Sequence, residues 1–295
     1  MPNLKAIRTR ITSVKSTKQI TSAMKMVAAA RLRKAQDKIV RLRPYAAKLH
    51  EILVSLSQSL ADSEVPNIYS RTAASEKILI VLITSNRGLC GAFNSNVIKE
   101  ARRVALEKYP DQYKKGSLQF LAIGKKGYDF LKKQTVNLAG EKNELLNDLS
   151  FEKASLLAEE IMKKFITGEF DRVEIIYNQF KNAAVQYVTD EVFLPVEAGS
   201  GDKGKANSSV DYIYEPTKEG IVQELIPKSL KIQFYKSVLD SFVAENGARM
   251  TAMHKATDNA TTMIRDLTLQ YNKARQAAIT NQILEVVSGA EALKG

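Results

Sequence analysis

A chain of 295 residues of which 44% are hydrophobic can build one or two packed domains, so disorder is excluded as an overall description. Its longest purely aliphatic run, Ile78 to Ile83, falls far short of the ~20 residues that cross a bilayer, and its single cysteine, Cys90, rules out an internal disulfide and suits a reducing compartment. The net charge of +12 is concentrated at one end: residues 1–60 carry 13 Lys or Arg against Asp37 and Glu51, residues 61–227 carry 22 basic against 24 acidic groups, and residues 228–295 carry 9 against 6.

From Asn3 to Arg43 there is neither Gly nor Pro, which predicts one long helix. Ala28, Leu32, Ala35, Ile39, Leu42, Ala46, Leu49, Leu53, Leu56 and Leu60 alternate at three and four residues, the seam of a coiled coil. A different face carries Arg31, Lys34, Lys38, Arg41 and Lys48, again at helical spacing. Such a stripe asks for an acidic partner, and a nucleic-acid backbone is the other standard one. Lys15 to Gln19 interrupt the apolar seam between Val14 and Ile20, so this stretch is expected to face something other than a partner helix. Pro44 removes a helical hydrogen bond and is expected to bend or break the helix. The Arg-bearing, acid-free start superficially resembles an organellar presequence, but the seam follows at once.

The middle of the chain alternates strand and helix patterns. Lys77–Thr84 (KILIVLIT) reads as a buried strand, Ser95–Lys108 as a helix and Leu118–Ile123 as a second strand. Tyr128–Lys133 looks helical, Thr135–Leu138 is a short strand candidate and Phe151–Ile166 a helix. Arg172–Phe180 and Ala184–Val192 close the set as a hairpin. This order predicts a mostly parallel sheet with helices on its faces. Gly199–Ser209 reads as a flexible connector, with Gly220 and Pro227 punctuating the approach to the last segment.

From Lys228 to Ser288 only Gly247 interrupts a second helix-permissive stretch, which would span roughly 90 Å at 1.5 Å per residue and must outgrow a compact domain. Leu239, Phe242, Asn246, Met250, Met253, Thr257, Ala260, Ile264, Leu267, Tyr271, Ala274 and Ala278 repeat the seam alternation. The simplest pairing is antiparallel, with seam alanines letting the backbones approach. Ile283 to Leu293 keep apolar residues that this chain has nothing obvious to cover; a sleeve from another protein would. The predicted fold is α/β: a long antiparallel coiled coil of N- and C-terminal helices plus a central Rossmann-like α/β domain. Its parts are residues 1–60, a central domain 75–198, a connector 199–227 and a last helix 228–295.

Chemistry is harder to place. SNRGLCGAFN, Ser85–Asn94, follows a strand and precedes a helix but lacks GxGxxG spacing, and GxxxxGK[ST] occurs nowhere. A tight turn enabled by Gly88 and Gly91 is the better reading. Cys90 has only His50 and His254 as possible bases, both on the long helices, and two isolated histidines make no zinc site. The central carboxylates read as solvated charges on helix surfaces. No cofactor, metal or self-contained catalytic group is expected. Two rival readings, a nucleic-acid-binding coiled coil and a Rossmann-type enzyme, rest on the basic stripe and the sheet respectively.

Four segments together resemble the gamma subunit of F-type ATP synthases: RITSVKSTKQITSAMKMVAAARLRKAQ (Arg10–Gln36), SNRGLCGAFN, ARMTAMHKATDNA (Ala248–Ala260) and YNKARQAAITNQILEVVSGAEAL (Tyr271–Leu293). Gln282 stands where that family usually has Glu, and Asn86 where many members have Asp. The resemblance implies a non-catalytic central-stalk rotor inserted in a head of alpha and beta subunits, with an epsilon-type subunit alongside and a membrane c-subunit ring below. It implies beta-subunit contacts at Arg275, Gln276 and Thr280, and further ones at Met24, Arg87 and Cys90 near an acidic lever that would also meet the basic stripe. Tyr212, Tyr214 and Glu215 match the segment that meets the membrane ring. A peripheral place on the cytoplasmic face of a bacterial inner membrane follows, with no transmembrane segment and no nucleic acid.

Overall fold

The computed structural model describes residues 4–59, 68–70, 76–134, 136–196 and 218–293. Two compact units divide the chain: one comprises Met1–Ala29 with Arg249–Gly295, the other Ala30–Ala248. Helix α1 runs from Leu4 to Ser59 and helix α6 from Lys218 to Ala292, each contributing to both units.

In the first unit the two helices bury one stripe each, as an antiparallel coil demands. Ile7, Thr21 and Ala28 are buried on α1, and Met253, Ala260 and Leu267 on α6. Between them, Leu4, Ile11, Val14 and Lys18, and on α6 Met250, Thr257, Ile264, Tyr271, Ala274 and Ala278, are half-buried. The polar stretch of α1 therefore does not leave the seam. Lys18 and Thr21 occupy seam positions while Ile20 is exposed, and the Thr21 and Thr257 hydroxyls lie 2.9 Å apart. The pair is tolerated there because one hydroxyl can donate across the seam while the other donates to a carbonyl of its own helix, Lys18 for Thr21 or Met253 for Thr257. Seventeen residues before Thr21 stands Leu4 and seventeen after Thr257 stands Ala274. Leu4, the first described residue of α1, thus falls level with Ala274, and Gln282 to Leu293 are exposed.

The second unit is a sheet domain. Strands β1 (Ile78–Ile83), β2 (Leu118–Ile123), β3 (Asn137–Glu141), β4 (Arg172–Phe180) and β5 (Gln186–Leu194) lie in the order β3-β2-β1-β4-β5. Pairing is parallel except for the antiparallel β4–β5 hairpin. Crossovers are made by α2 (Phe93–Arg103), which continues as a π-helical turn Val104–Lys108, by α3 (Pro110–Lys115), α4 (Lys125–Leu131) and α5 (Phe151–Ile166). Ser150 caps α5 by accepting the Lys153 amide. Because strand side chains alternate, Ile78, Ile80 and Leu82 join Val97, Ala101, Val104 and Phe120 in one apolar layer beneath α2. The other face is covered by α6. Phe234 packs on Phe193, and Gln233 donates to the Glu191 carboxylate and, at 3.4 Å, to the Val192 carbonyl.

Three expectations are corrected. Pro44 does not end α1, because Val40, whose carbonyl loses its intrahelical donor, is on the exposed face where water can replace it. Gly220 and Pro227 do not precede α6 but lie inside it, and the flanking Ile226 and Leu230 are buried; packing outweighs propensity there. Gly247 does not interrupt α6 but is a close-packing position: a Cβ there would stand 3.2 Å from Ala183 Cα and 3.3 Å from its carbonyl oxygen, so the hairpin turn would have to give by a few tenths of an ångström to admit a side chain.

Candidate partner interface

The basic stripe is exposed at all five positions, Arg31, Lys34, Lys38, Arg41 and Lys48. Part of it already meets an acid of its own unit: Lys153 holds the Asp148 carboxyl below its ordinary range, and Lys38 and Lys34 add to that pull. Arg41 also lines a cleft of about 410 Å³ with Gln36, Asp37, Ile39, Val40, Arg43 and Phe180.

The loop after β1 is held at both ends by side chains. Asn94 Oδ1 accepts the Ser85 amide at 2.9 Å, and Ser85 Oγ donates to the Arg87 carbonyl at 2.6 Å. Asn86 donates to the Asn143 carbonyl at 2.9 Å and to Asn147 Oδ1 at 3.1 Å while accepting the Lys125 amide at 3.0 Å. Asn94 further donates to Cys90 Sγ at 3.2 Å. Cys90 is only 1% exposed, so the thiol belongs to the interior of the loop. Arg87 points outward, as does Leu89, which is 63% exposed. The turn uses positive φ at Leu89 (62°) and Gly91 (61°), while Gly88 is not a positive-φ position. A leucine in the left-handed region costs of order 1 kcal/mol and persists only because its surroundings fix it. Leu89 was not singled out from sequence, since nothing marks a leucine for positive φ.

On α6, Arg275, Gln276 and Thr280 are exposed on the paired part of the helix and just beyond it, while Met24 on α1 is half-buried beside the seam. Beyond them Ile283, Leu284, Val286, Val287 and Leu293 are exposed, the last at 90%. Gln282 is exposed too. Tyr212, Tyr214 and Glu215 lie outside the described residues.

Carboxylates buried in the second unit are a feature sequence reading missed. Glu174 on β4 is 0% exposed, and its Oε1 accepts from Lys108 Nζ (2.6 Å), Arg172 Nε (2.8 Å) and the Tyr109 hydroxyl. Burial drives its carboxyl upward, but these three donors outweigh that and hold it below the usual range. Asp240 on α6 is also 0% exposed and pairs with Arg43 of α1 at 3.2 Å, Arg43 donating as well to the Phe180 carbonyl. Burial raises the Asp240 carboxyl against the pull of Arg43. Glu174, expected from sequence to be a solvated helix-surface charge like the other central carboxylates, is neither solvated nor on a helix. The available signal was Glu174 inside the apolar run of β4 with Arg172 two residues earlier on the same face.

Helices that in the first unit are covered along one stripe and bare on the rest, and a loop displaying Arg87 and Leu89 in the second, define a subunit of a larger assembly whose exposed faces are the working surfaces. The family model described as ATP synthase matches residues 3–293. The ATP synthase gamma chain of Flavobacterium johnsoniae is 56% identical over 295 residues, covering all of both chains. That of Cytophaga hutchinsonii is 51% identical over 294 residues, covering 99% of each. Among solved structures, a chain of the Euglena gracilis mitochondrial ATP synthase (OSCP, F1 and c-ring) superposes with TM-score 0.70 over 98% of this chain and 94% of its own, at 23% identity, which speaks for the fold. The chain belongs to the ATP synthase family, among its gamma chains.

Proposed function

We propose that this chain, as the central-stalk rotor subunit of an F-type ATP synthase, couples proton passage through a membrane c-subunit ring to the conformational cycle of catalytic beta subunits. The observation that carries this reading is the full-length kinship with gamma chains, joined to helices that in the first unit bury one stripe and leave the rest of their circumference bare. It is non-catalytic by itself, contributes no bond-making group, and works by contact. Alpha and beta subunits surround the coil, an epsilon-type subunit binds beside the sheet domain, and the assembly sits peripherally on the cytoplasmic face of a bacterial inner membrane. No helix among the described residues is long and apolar enough to cross a membrane.

A shaft whose faces differ offers three identical catalytic subunits three different surfaces, so their open and closed forms are unequally stabilised. Shifting one of them from mostly open to mostly closed requires about 5.5 kcal/mol of differential binding, within reach of several charge and packing contacts. Arg275, Gln276 and Thr280 supply such contacts on α6. Met24 and the loop of Arg87 and Cys90 supply others, and because Cys90 is buried the loop touches its partner through Arg87 and Leu89. The basic stripe faces acidic side chains of the same partners, and the exposed end of α6 turns in an apolar sleeve.

Arg275→Ala and Gln276→Ala, introduced in the assembled complex, should leave assembly intact and lower both ATP synthesis and hydrolysis several-fold. Unchanged turnover in both variants would refute the assigned contacts. If the stripe served nucleic acid instead, binding would fall steeply with salt; a complex with acidic protein partners that survives high salt argues against it.

A further inference from the structure

The cluster around Glu174 holds an imbalance of donors. Glu174 Oε1 receives three hydrogen bonds, whereas its Oε2 is buried and receives none. On the neighbouring strand, Asp190 Oδ2 accepts from the same Lys108 Nζ at 3.2 Å, and its Oδ1 is likewise buried without a donor. The register sets Asp190 opposite Ile176 and Glu174 opposite Val192, so both carboxyls stand on one face of the hairpin, diagonal to each other. With both carboxyls ionised, Glu174 Oε2 and Asp190 Oδ1 would each stay a buried acceptor without a donor, a cost of a kind native interiors avoid. One hydrogen between them satisfies both.

We propose that Glu174 and Asp190 form a proton-binding site, in which Asp190 retains a proton at neutral pH and donates it to Glu174. The ligand is a single proton, taken up when the chain folds. All the charged and titratable groups that face the pair fit this state. Lys108, closing the π-helical turn, donates to both carboxyls, and Arg172 on β4 and Tyr109 donate to Glu174. Burial and the Glu174 charge both raise the Asp190 carboxyl against the pull of Lys108, while Glu174 is held low. The division of labour follows from donor count: the carboxyl with three donors keeps the charge, and the one with a single lysine keeps the hydrogen. The site fastens the edge strand β5 to β4 and to the end of the α2 segment, where no further strand supports it on its outer side among the described residues.

The sign of the pH effect is fixed. Asp190 titrates higher in the folded chain than in the unfolded one, so its contribution is complete below the ordinary aspartate range and is lost as pH rises through the folded value. Glu174 titrates lower when folded; its contribution is present above the ordinary glutamate range and is lost only in acid. Asp190→Asn places a permanent N–H donor where the proton sits. In full-length chain, chemical denaturation across a pH series should show the folded-to-unfolded ratio of Asp190→Asn gaining on wild type by about tenfold per pH unit, until the folded chain releases its proton. Asp240 and other titrating groups are common to both chains and cancel. A variant that is destabilised equally at every pH, or fails to fold, would overturn the proposal, since an ionised Asp190 paired with Lys108 predicts that loss. An independent reading is the infrared carbonyl band of a protonated carboxyl in chain labelled on aspartate and carrying Asp240→Asn. Its presence at neutral pH supports the site, and its absence refutes it.

Discussion

The two compact units solve the same problem of stability in opposite ways. The sheet unit buries apolar residues on both faces of β1 and ties its hairpin and helices together with interior ion pairs, Glu174 with Lys108 and Arg172, Asp240 with Arg43. The paired helices of the other unit bury a single stripe that includes Ala28, Ala260 and the Thr21–Thr257 contact. The first is self-sufficient, and the second leaves most of its surface to others. Where a unit's residues are spent inward, substitutions should register in its own stability. Where they face out, the effect should appear in the assembly instead.

The sharpest test of that contrast is a cavity in the sheet unit. Phe234→Ala removes a fully buried ring packed at a tilt against Phe193 and should cost about 3–5 kcal/mol in chemical denaturation of the full chain. A loss below about 1 kcal/mol would mean the α6 segment is only loosely seated on the sheet. Next in size, Arg43→Met strands the buried Asp240 carboxylate and should cost about 2–3 kcal/mol, with most of that recovered in the double variant carrying Asp240→Asn. Strict additivity of the two substitutions would show that the pair is not coupled. In the helical unit, replacing Thr21 and Thr257 together by Val should change stability by less than about 1 kcal/mol, since both hydroxyls leave and neither is orphaned. Smallest of all, Arg275→Ala should move the midpoint of the isolated chain by less than about 0.5 kcal/mol, because its side chain is exposed. Large effects at these last two positions would erase the distinction between the units.

The elements most legible in sequence were those whose local pattern and packing agree. The α5 helix, with its Ser150 cap and amphipathic spacing, and the β4 strand have the bounds their sequences announce. The apolar seam of α6 from Leu239 to Ala278 was legible residue by residue, because a seam position is buried or half-buried wherever a partner helix lies against it. What escaped was decided by contacts between distant residues. Pro44 and Pro227 are breakers by propensity, yet solvent beside one and the buried Ile226 and Leu230 around the other keep their helices whole. Lys18, inside the polar stretch expected to face away from the partner helix, holds a seam position, and Thr21 beyond it meets Thr257 across the seam. Within the candidate interface, the loop of Arg87 could be found from its motif, but the outward turn of Leu89 and the inward turn of Cys90 depend on Asn86, Asn94 and Ser85 acting together. No spacing rule encodes that cooperation.

The hydroxyl contact between Thr21 and Thr257 bears on how a twisted pair of rods could fail. Two helices joined only by a greasy stripe can creep lengthwise past one another by a turn and re-engage, dissipating the applied torque as slippage. A polar pair that meets at one offset acts as an index pin: creep would break the contact between the two hydroxyls, leaving each only the carbonyl of its own helix, and the coil would resist that displacement even where its hydrophobic teeth are small.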